Sequence, residues 1–435
     1  MMLRPLTLCA AMVSALALAS MTHAAEVVFE GIKDGQIGAE ARFRLEGDIV
    51  EGDSGRVAEA LRKADVSPQQ DPWRGIVIAL NSSGGEFHEG IDLAITFRRL
   101  GLATVVRSAD ACYSACAIAF LGGVDLPKDP TPVGEDDPLP SQRPSRSLEK
   151  DARLGFHAPY LAVPDGNYEA GLVQDAYRAA VLGIARLVAL ADRLYIVPAE
   201  LPRLLAPGQD EMYMADDVDA VRVLGISYTD FSYQIRENYG FTQSMILNGC
   251  VNRYYHLQRR SSADGFANAL SVLNEFIEGS RLMGNGEEAI AFGVRKVMQG
   301  TATTWVAYLP IAKTQDGDRF VWCLFSPAVG SPTTFYKPGG TIEELFSQLE
   351  VKNDLWSYSS SKTTIRLSTG DSIDDMMRAL DLVPPQTKLS DVTRQLETYR
   401  TTETPMAVKQ TASPLPMDSP VRSDVRQIDS IPSRQ

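Results

Sequence analysis

Ser114 stands in the stretch "ADACYSACAIAFLGG" (109–123), between Cys112 and Cys116 and among residues no larger than a tyrosine. A β-branched stretch, "ATVVRS", precedes it and a helical stretch follows, so the hydroxyl sits at a strand-to-helix junction. Free N–H groups and the positive end of the helix dipole gather there and favour an alkoxide or oxyanion. Small neighbours such as Ala111 and Ala115 admit a substrate backbone. The ordinary role for a serine at this place is to cap the helix. Two further features favour chemistry. "LNSSGG" puts Gly84 and Gly85 directly after a buried strand, where glycine N–H groups can turn into open space and form an oxyanion hole. "GFH" ends a second apolar strand on His157, about 40 residues after the serine, a gap that one crossover spans. A Ser–His mechanism must draw on His88, His157 or His256, the histidines that follow residue 24. His88 adjoins the glycine pair and could line the site, while His256 falls in a later region.

The elements that would hold these residues alternate. "ARFRLEGDIV" (41–50) reads as a strand, "SGRVAEALRKA" as a capped helix and "GIVIAL" (75–80) as a buried strand. "FHEGIDLAITFRRLG" is an amphipathic helix closed by Gly101, and "ATVVRS" is the next strand. The segment 125–150, rich in proline and charge, reads as an exposed loop. Residues 167–194 read as a long helix, and "DEMYMADDVDAVRVLGI" as a strand and a helix. This rhythm predicts an α/β fold with a mainly parallel sheet over 26–229. Residues 230–383 read as a smaller α+β domain, with helices at 265–282, 286–299, 341–350 and 372–382 and strands near 303–309 and 319–325. Beyond residue 384 proline, serine, threonine and glutamine dominate, which predicts a disordered tail.

Compartment decides what the cysteines mean. The opening "MMLRPLTLCAAMVSALALASMTHAAE" has a basic residue, an apolar run and a small-x-small site at Thr22-His23-Ala24. It reads as a signal peptide over 1–24, too short for a membrane span. Export to a bacterial periplasm, or secretion, is expected. The net charge of −13 argues against nucleic acid and anionic membranes as partners. Removing Cys9 leaves Cys112, Cys116, Cys250 and Cys323, an even set that an oxidising compartment pairs. Cys112–Cys116 and Cys250–Cys323 are the leading pairs; the other reading of the first two is as small packing residues around the serine. A metal site built from C-x3-C and a distant histidine is weak, and no cofactor motif is present.

In order along roughly 40–228, the chain carries an "xNSxGG" turn, a helix, a "TVV" strand, an "xSA" turn, a "GFH" strand, a long helix and a "MYM…A…LGI" unit. This series resembles the Clp-type serine peptidases of the Clp/crotonase superfamily, and in particular exported members with a "CxSAC" setting. The resemblance implies the ββα-repeat fold, Ser114 as nucleophile, His157 as general base, and the Gly85 and Ala115 N–H groups as oxyanion hole. It implies an acid just before the "MYM" strand, where Asp210 fits best and Glu211 is adjacent. In such a site the extended chain from Gly85 to Phe87 would pair with the substrate as an added strand, with Gly84, Glu86 and Phe87 as substrate-binding residues. Ser83 departs from the family's proline, the loop before His157 is longer, and residues after 230 have no counterpart. No P-loop is present, so cleavage of flexible peptides or unfolded protein without ATP is the expected activity, and a homo-oligomer stays open. The rivals are a non-catalytic peptide- or envelope-protein-binding module on the same fold and a crotonase-like acyl-transfer enzyme. The Ser/His pair and the expected compartment argue against the second.

Overall fold

The computed structural model describes residues 24–35, 38–66, 75–124, 144–160, 166–208, 210–229, 242–257, 261–263, 265–266, 294–299, 302–314, 317–325, 333–336 and 380–402. The expected signal peptide up to residue 23, the loop 125–143, nearly all of the expected helix 265–282, the helix 341–350, most of 372–382 and the chain beyond 402 lie outside the described residues.

A mostly parallel six-stranded sheet forms the centre, in the order β1-β2-β3-β4-β6-β9. Its strands are β1 (Glu26–Gly35), β2 (Gly38–Glu46), β3 (Gly75–Asn81), β4 (Leu102–Val106), β6 (Arg146–Glu149) and β9 (Ser227–Thr229). β1 and β2 form an antiparallel hairpin at one edge, and every other neighbouring pair is parallel. β3 is buried along most of its length, which is why "GIVIAL" is a continuous apolar run and not an alternating one. The expected α/β class with a mainly parallel sheet is therefore observed. A second sheet, three-stranded, carries the residues of interest: β5 (Ala111–Tyr113), β7 (Arg153–Phe156) and β8 (Tyr213–Met214), in the order β5-β7-β8. Helices α1 (Asp53–Lys63), α2 (Phe87–Leu100), α3 (Ala115–Phe120) and α4 (Ala170–Leu190) follow the expected rhythm, joined by α5 (Leu201–Leu205) and α6 (Val218–Val223).

Local chemistry explains the entry to α1. Buried Glu89 on α2 accepts the N–H groups of Gly52 (3.0 Å) and Ser54 (2.6 Å), and buried Asp53 accepts that of Val50 (2.8 Å). Two carboxylates thus satisfy the start of α1 and lie at the positive end of its dipole. Burial raises the Asp53 carboxyl above its usual range, against the pull of the Val50 hydrogen bond and Arg56.

The expected exposed loop 125–150 needs correction at its end. Residues 146–149 are β6, and Arg146 is fully buried. Its guanidinium donates to the Leu224 carbonyl (2.7 Å) and to that of Leu194, so an arginine here ties strand to helix ends. Burial, and then neighbouring Arg98, push it down to about 9.

The expected boundary at 230 and the tail from 384 are also corrected. Helix α7 (Gln243–Leu257), helix α8 (Val392–Thr402) and the 3-10 turn Leu389–Asp391 before it put Met245, Val251, Leu389, Val392 and Leu396 into the same core as the central sheet. The joint is polar and dense. Asp219 on α6 accepts from Ser261 Oγ (2.6 Å) and from the Ser262 (2.7 Å) and Ala263 (3.2 Å) N–H groups. Arg222 pairs with Asp381, and the Val218 and Asp219 N–H groups donate to Thr387 and Pro385. Asn252 Nδ2 donates to the Asp381 and Val383 carbonyls, each at 2.8 Å. Asn252→Ala leaves both buried carbonyls unsatisfied and should lower unfolding free energy by about 2–4 kcal/mol. Urea denaturation checks this; a loss below measurement error would mean that 380–383 is not part of the cooperative core.

The expected helix 286–299 is not formed at its end, where β10 (Val294–Gln299) pairs with β11 (Ala302–Thr314). β12 (Gly317–Phe325) and β13 (Thr333–Tyr336) complete an antiparallel four-stranded sheet. β-branched Val294 and Val297 suit a strand better than a helix.

Candidate active site

β5 runs parallel to β7, with Cys112 opposite Leu154 and Tyr113 opposite Gly155. The Ser114 N–H continues the ladder by donating to the Gly155 carbonyl at 3.0 Å. Ser114 and His157 therefore leave neighbouring strands at the same, C-terminal end, where open α/β sheets place their sites.

Ser114 has φ 56° and ψ −121°. An L-residue held there costs about 1–3 kcal/mol and persists only where its surroundings fix it. Four restraints do so. Its N–H is bonded to Gly155, and its carbonyl accepts the Ile118 N–H at 3.1 Å, which starts α3. Cys112 and Cys116 form a disulfide across it, with Cα atoms 5.2 Å apart. Gly84 packs against it so closely that a Cβ on Gly84 would lie 2.7 Å from the Ser114 Cβ. The ordinary capping role is not used: Ser114 occupies the N-cap position of α3, yet its side chain makes no capping bond. Ser114 is half-buried in this sharp, strained strand-to-helix turn.

The glycine turn lies beside it. Ile49 pairs with Gly85 as a parallel bridge through its N–H to the Gly84 carbonyl (2.7 Å) and its carbonyl to the Glu86 N–H (2.9 Å). That pairing takes nothing from Gly85, whose own N–H faces the other way. Ala115 is the first residue of α3, so its N–H has no partner within the helix. These are the two donors expected for an oxyanion hole. Ser82 fastens the turn: its N–H donates to Ala111 (2.8 Å), its carbonyl accepts from Tyr113 (3.1 Å), and its hydroxyl accepts from Gly84 (3.1 Å). Ser83 donates to Asp48. Gly85 and Glu86 are exposed and Phe87 is half-buried.

The His157 ring is only 6 % exposed and packs on Tyr160, centroids 5.2 Å apart. Nδ1 lies 2.8 Å from the Ala158 carbonyl. A carbonyl can only accept, so Nδ1 carries the proton, and the neutral ring keeps its lone pair on Nε2. No hydrogen bond of the described residues joins that ring to Ser114 Oγ or to a carboxylate. Asp210 and Glu211 are exposed, on the loop that the Ala158 N–H reaches through the Pro207 carbonyl (3.0 Å). The structure thus brings together Ser114, Gly84, Gly85, Ala115 and the strand that ends at His157, and it leaves Asp210 and Glu211 apart from the ring. Cys250 lies in α7 and Cys323 in β12, with side chains outside the described residues.

His88 has another task. Its Nε2 lies 3.0 Å from the Ala179 carbonyl, which docks α2 on α4. His88→Ala should leave turnover at Ser114 unchanged and cost no more than about 1 kcal/mol of stability; a collapse of turnover would transfer the base to His88.

Residues the sequence did not single out also surround the site. Tyr113, Gly155 and Met214 are paired across β5, β7 and β8, so the Tyr113 and Met214 side chains share the face on which Gly155 carries none. Tyr213 points to the other face, and burial, then Asp217, raises its hydroxyl well above the usual range. The period of two in "MYM" was the available signal for separating Met212 and Met214 from Tyr213. Among the described residues no three His, Cys, Asp or Glu side chains gather to hold a metal ion, and no helix is long and apolar enough to cross a membrane. Compared with protein-family models and with curated proteins, the chain matches none.

Proposed function

We propose that the chain is an exported, ATP-independent serine hydrolase of the Clp type that cleaves flexible peptides. The observation that carries this reading is the strained, uncapped Ser114 held at a strand end beside the Gly85 and Ala115 N–H groups. In this mechanism His157 Nε2 takes the Ser114 proton as Oγ attacks a peptide carbonyl. The two N–H groups hold the oxyanion, and protonated His157 then returns the proton to the leaving amine. The Ala158 carbonyl orients the imidazole through Nδ1, the task an aspartate performs in a triad. The reading is accordingly a Ser–His dyad, with Asp210 or Glu211 entering only if the loop closes on substrate. Closure of Ser114 Oγ onto Nε2 belongs to the same step, since catalytic hydrogen bonds often tighten only in the substrate complex.

The competing reading is a binding module that holds a peptide in the same groove. It is favoured by the missing hydrogen bond between Ser114 and His157. Fluorophosphonate labelling of the exported protein followed by peptide mapping separates them. A single adduct on Ser114 supports the hydrolase, and wild-type protein that no serine probe modifies supports the binding module.

A further inference from the structure

Helix α4 carries much of its apolar surface in the open. Leu172, Val173, Tyr177, Val181, Leu182 and Val188 are all exposed, Tyr177 by 73 %. The helix is 21 residues long, yet only Gly183 and Leu187 are buried. It docks on the body by its last turns. A Cβ on Gly183 would lie 2.9 Å from the Phe87 ring, His88 Nε2 lies 3.0 Å from the Ala179 carbonyl, and Arg186 pairs with Asp92 at 2.6 Å. The first turns stand off the body: residues 170–182 are exposed except for the half-buried Ala176 and Ala180. Gln174, Asp175 and Arg178 are the only amide or charged side chains of that stretch.

Little that is local keeps such a segment helical. Glu169, at the N-cap position, makes no side-chain capping bond, and the first turn holds no acid. Helices in proteins draw most of their stability from burying an apolar face, and a helix apolar on every side is ordinarily a buried one. An exposed patch of this size marks an interaction site. A membrane surface is a poor occupant. Interfacial helices carry a polar face rich in Lys and Arg, whereas Arg178 is the only cation of 170–182, on a chain of net charge −13.

The charges point to a second copy of the chain. Asp175 and Arg178 are exposed and pair neither with each other nor with another described residue. At about 100° per residue, Gly171, Asp175, Arg178 and Leu182 fall within about 60° on one side of the helix. Their 4-3-4 spacing suits two helices that cross at about 20°. A second α4 can be laid antiparallel on this stripe, about a two-fold axis midway between residues 176 and 177. Asp175 then meets Arg178 of the partner subunit, Arg178 meets the partner's Asp175, and each Leu182 covers the other copy's Gly171. A two-fold contact requires this reciprocity, with residue i on j and j on i. Antiparallel order also sets the free first turns of one helix against the docked last turns of the other, so each body flanks the turns that the other copy leaves bare. We infer that two copies of the chain pair through α4 in this register. The partner's Gly171 then lies opposite Leu182, next to the Gly183 that packs on Phe87. On the hydrolase reading the dimer walls one side of the substrate groove; the pairing itself does not depend on that reading.

Sedimentation velocity of the full chain tests this at low ionic strength, where exposed charges are least screened. Wild type should sediment as a dimer. Asp175→Arg and Arg178→Asp each turn two attractive contacts into two repulsive ones, and each should weaken the dimer at least about tenfold. An equimolar mixture of the two variants should dimerise again, because one copy then presents only arginine and the other only aspartate at both contacts. The double variant Asp175→Arg/Arg178→Asp should dimerise by itself. Recovery in the mixture also separates lost pairing from lost folding, since mixing cannot repair a helix damaged within one copy. Wild type that stays monomeric, single reversals that dimerise as tightly as wild type, or a mixture no better than its components would each overturn the pairing. Monomeric wild type that floats with phosphatidylcholine vesicles would make a lipid surface the occupant and overturn it as well. Turnover enters none of these measurements, so a dimer that restores itself by charge exchange in a protein without hydrolase activity supports the pairing and removes only its place beside a substrate groove.

Discussion

Ser114→Ala should lower peptide hydrolysis by about 10⁶-fold, the size of the loss when a serine protease loses its nucleophile. The thermal midpoint should stay nearly constant, because the Cβ and both backbone hydrogen bonds of residue 114 survive. Ser114→Gly should be as inactive and yet more stable. Glycine adopts φ 56° and ψ −121° without the strain that serine carries there. Relief of about 1–3 kcal/mol is offset by about 0.5–1 kcal/mol of added chain entropy in the unfolded state. A net gain of about 1 kcal/mol is therefore expected from urea denaturation. The pair of variants matters more than either alone. A serine kept for capping would cost stability in both, since capping groups are worth about 1 kcal/mol. Strain kept for chemistry gives stability back once the chemistry is abandoned. Glycine less stable than alanine at this position would remove the strained-nucleophile argument.

That strain could not be read from the sequence, although the turn could. "ATVV", "GIVIAL" and "GFH" are apolar runs whose length and branching report buried parallel strands, and Gly101 closes α2 in the left-handed conformation as expected. The order of these elements was enough to bring Ser114, the glycine turn and His157 to one sheet end. What composition hid was contact between distant segments. Residues 384–402 look disordered by their content of threonine, serine and proline. They are held by the Pro385 and Thr387 carbonyls, which accept from the start of α6, bonds between residues more than 100 positions apart. Arg146 followed the same logic in reverse. A charged residue at the end of a proline-rich stretch signals solvent, unless two carbonyls elsewhere in the chain need its guanidinium. For the partner of His157 the residue types pointed to a carboxylate, Asp210 or Glu211, whereas the structure pairs its Nδ1 with a backbone carbonyl, the other possibility for a histidine at a strand end. The Ala158 carbonyl that accepts the Nδ1–H hydrogen bond is backbone, and backbone leaves no mark in residue types.

Gly85→Ala should be the most damaging single methyl in the site, and Gly31→Ala shows why. Both glycines have positive φ, 137° and 107°, so an alanine is strained at either place. At Gly31 nothing lies within 4 Å of the new methyl, and the cost is conformational alone, about 1–2 kcal/mol. At Gly85 the methyl would sit 2.1 Å from the Ile49 carbonyl oxygen. That oxygen cannot swing aside, because it accepts the Glu86 N–H while the Ile49 N–H holds the Gly84 carbonyl. Relief requires the strand end at Ile49 and the glycine turn to part, at the loss of both hydrogen bonds. Strain, overpacking and two lost bonds together should exceed about 4 kcal/mol. Parting the turn also withdraws the Gly85 N–H from the oxyanion, so protein that still folds at low temperature should lose at least about 100-fold in turnover, the scale set by deleting one oxyanion donor. Comparing turnover with the folded fraction separates the two losses. If Gly85→Ala proves no less stable than Gly31→Ala and hydrolyses peptide at the wild-type rate, then the bridge to Ile49 does not hold the turn and the Gly85 N–H does not serve the oxyanion.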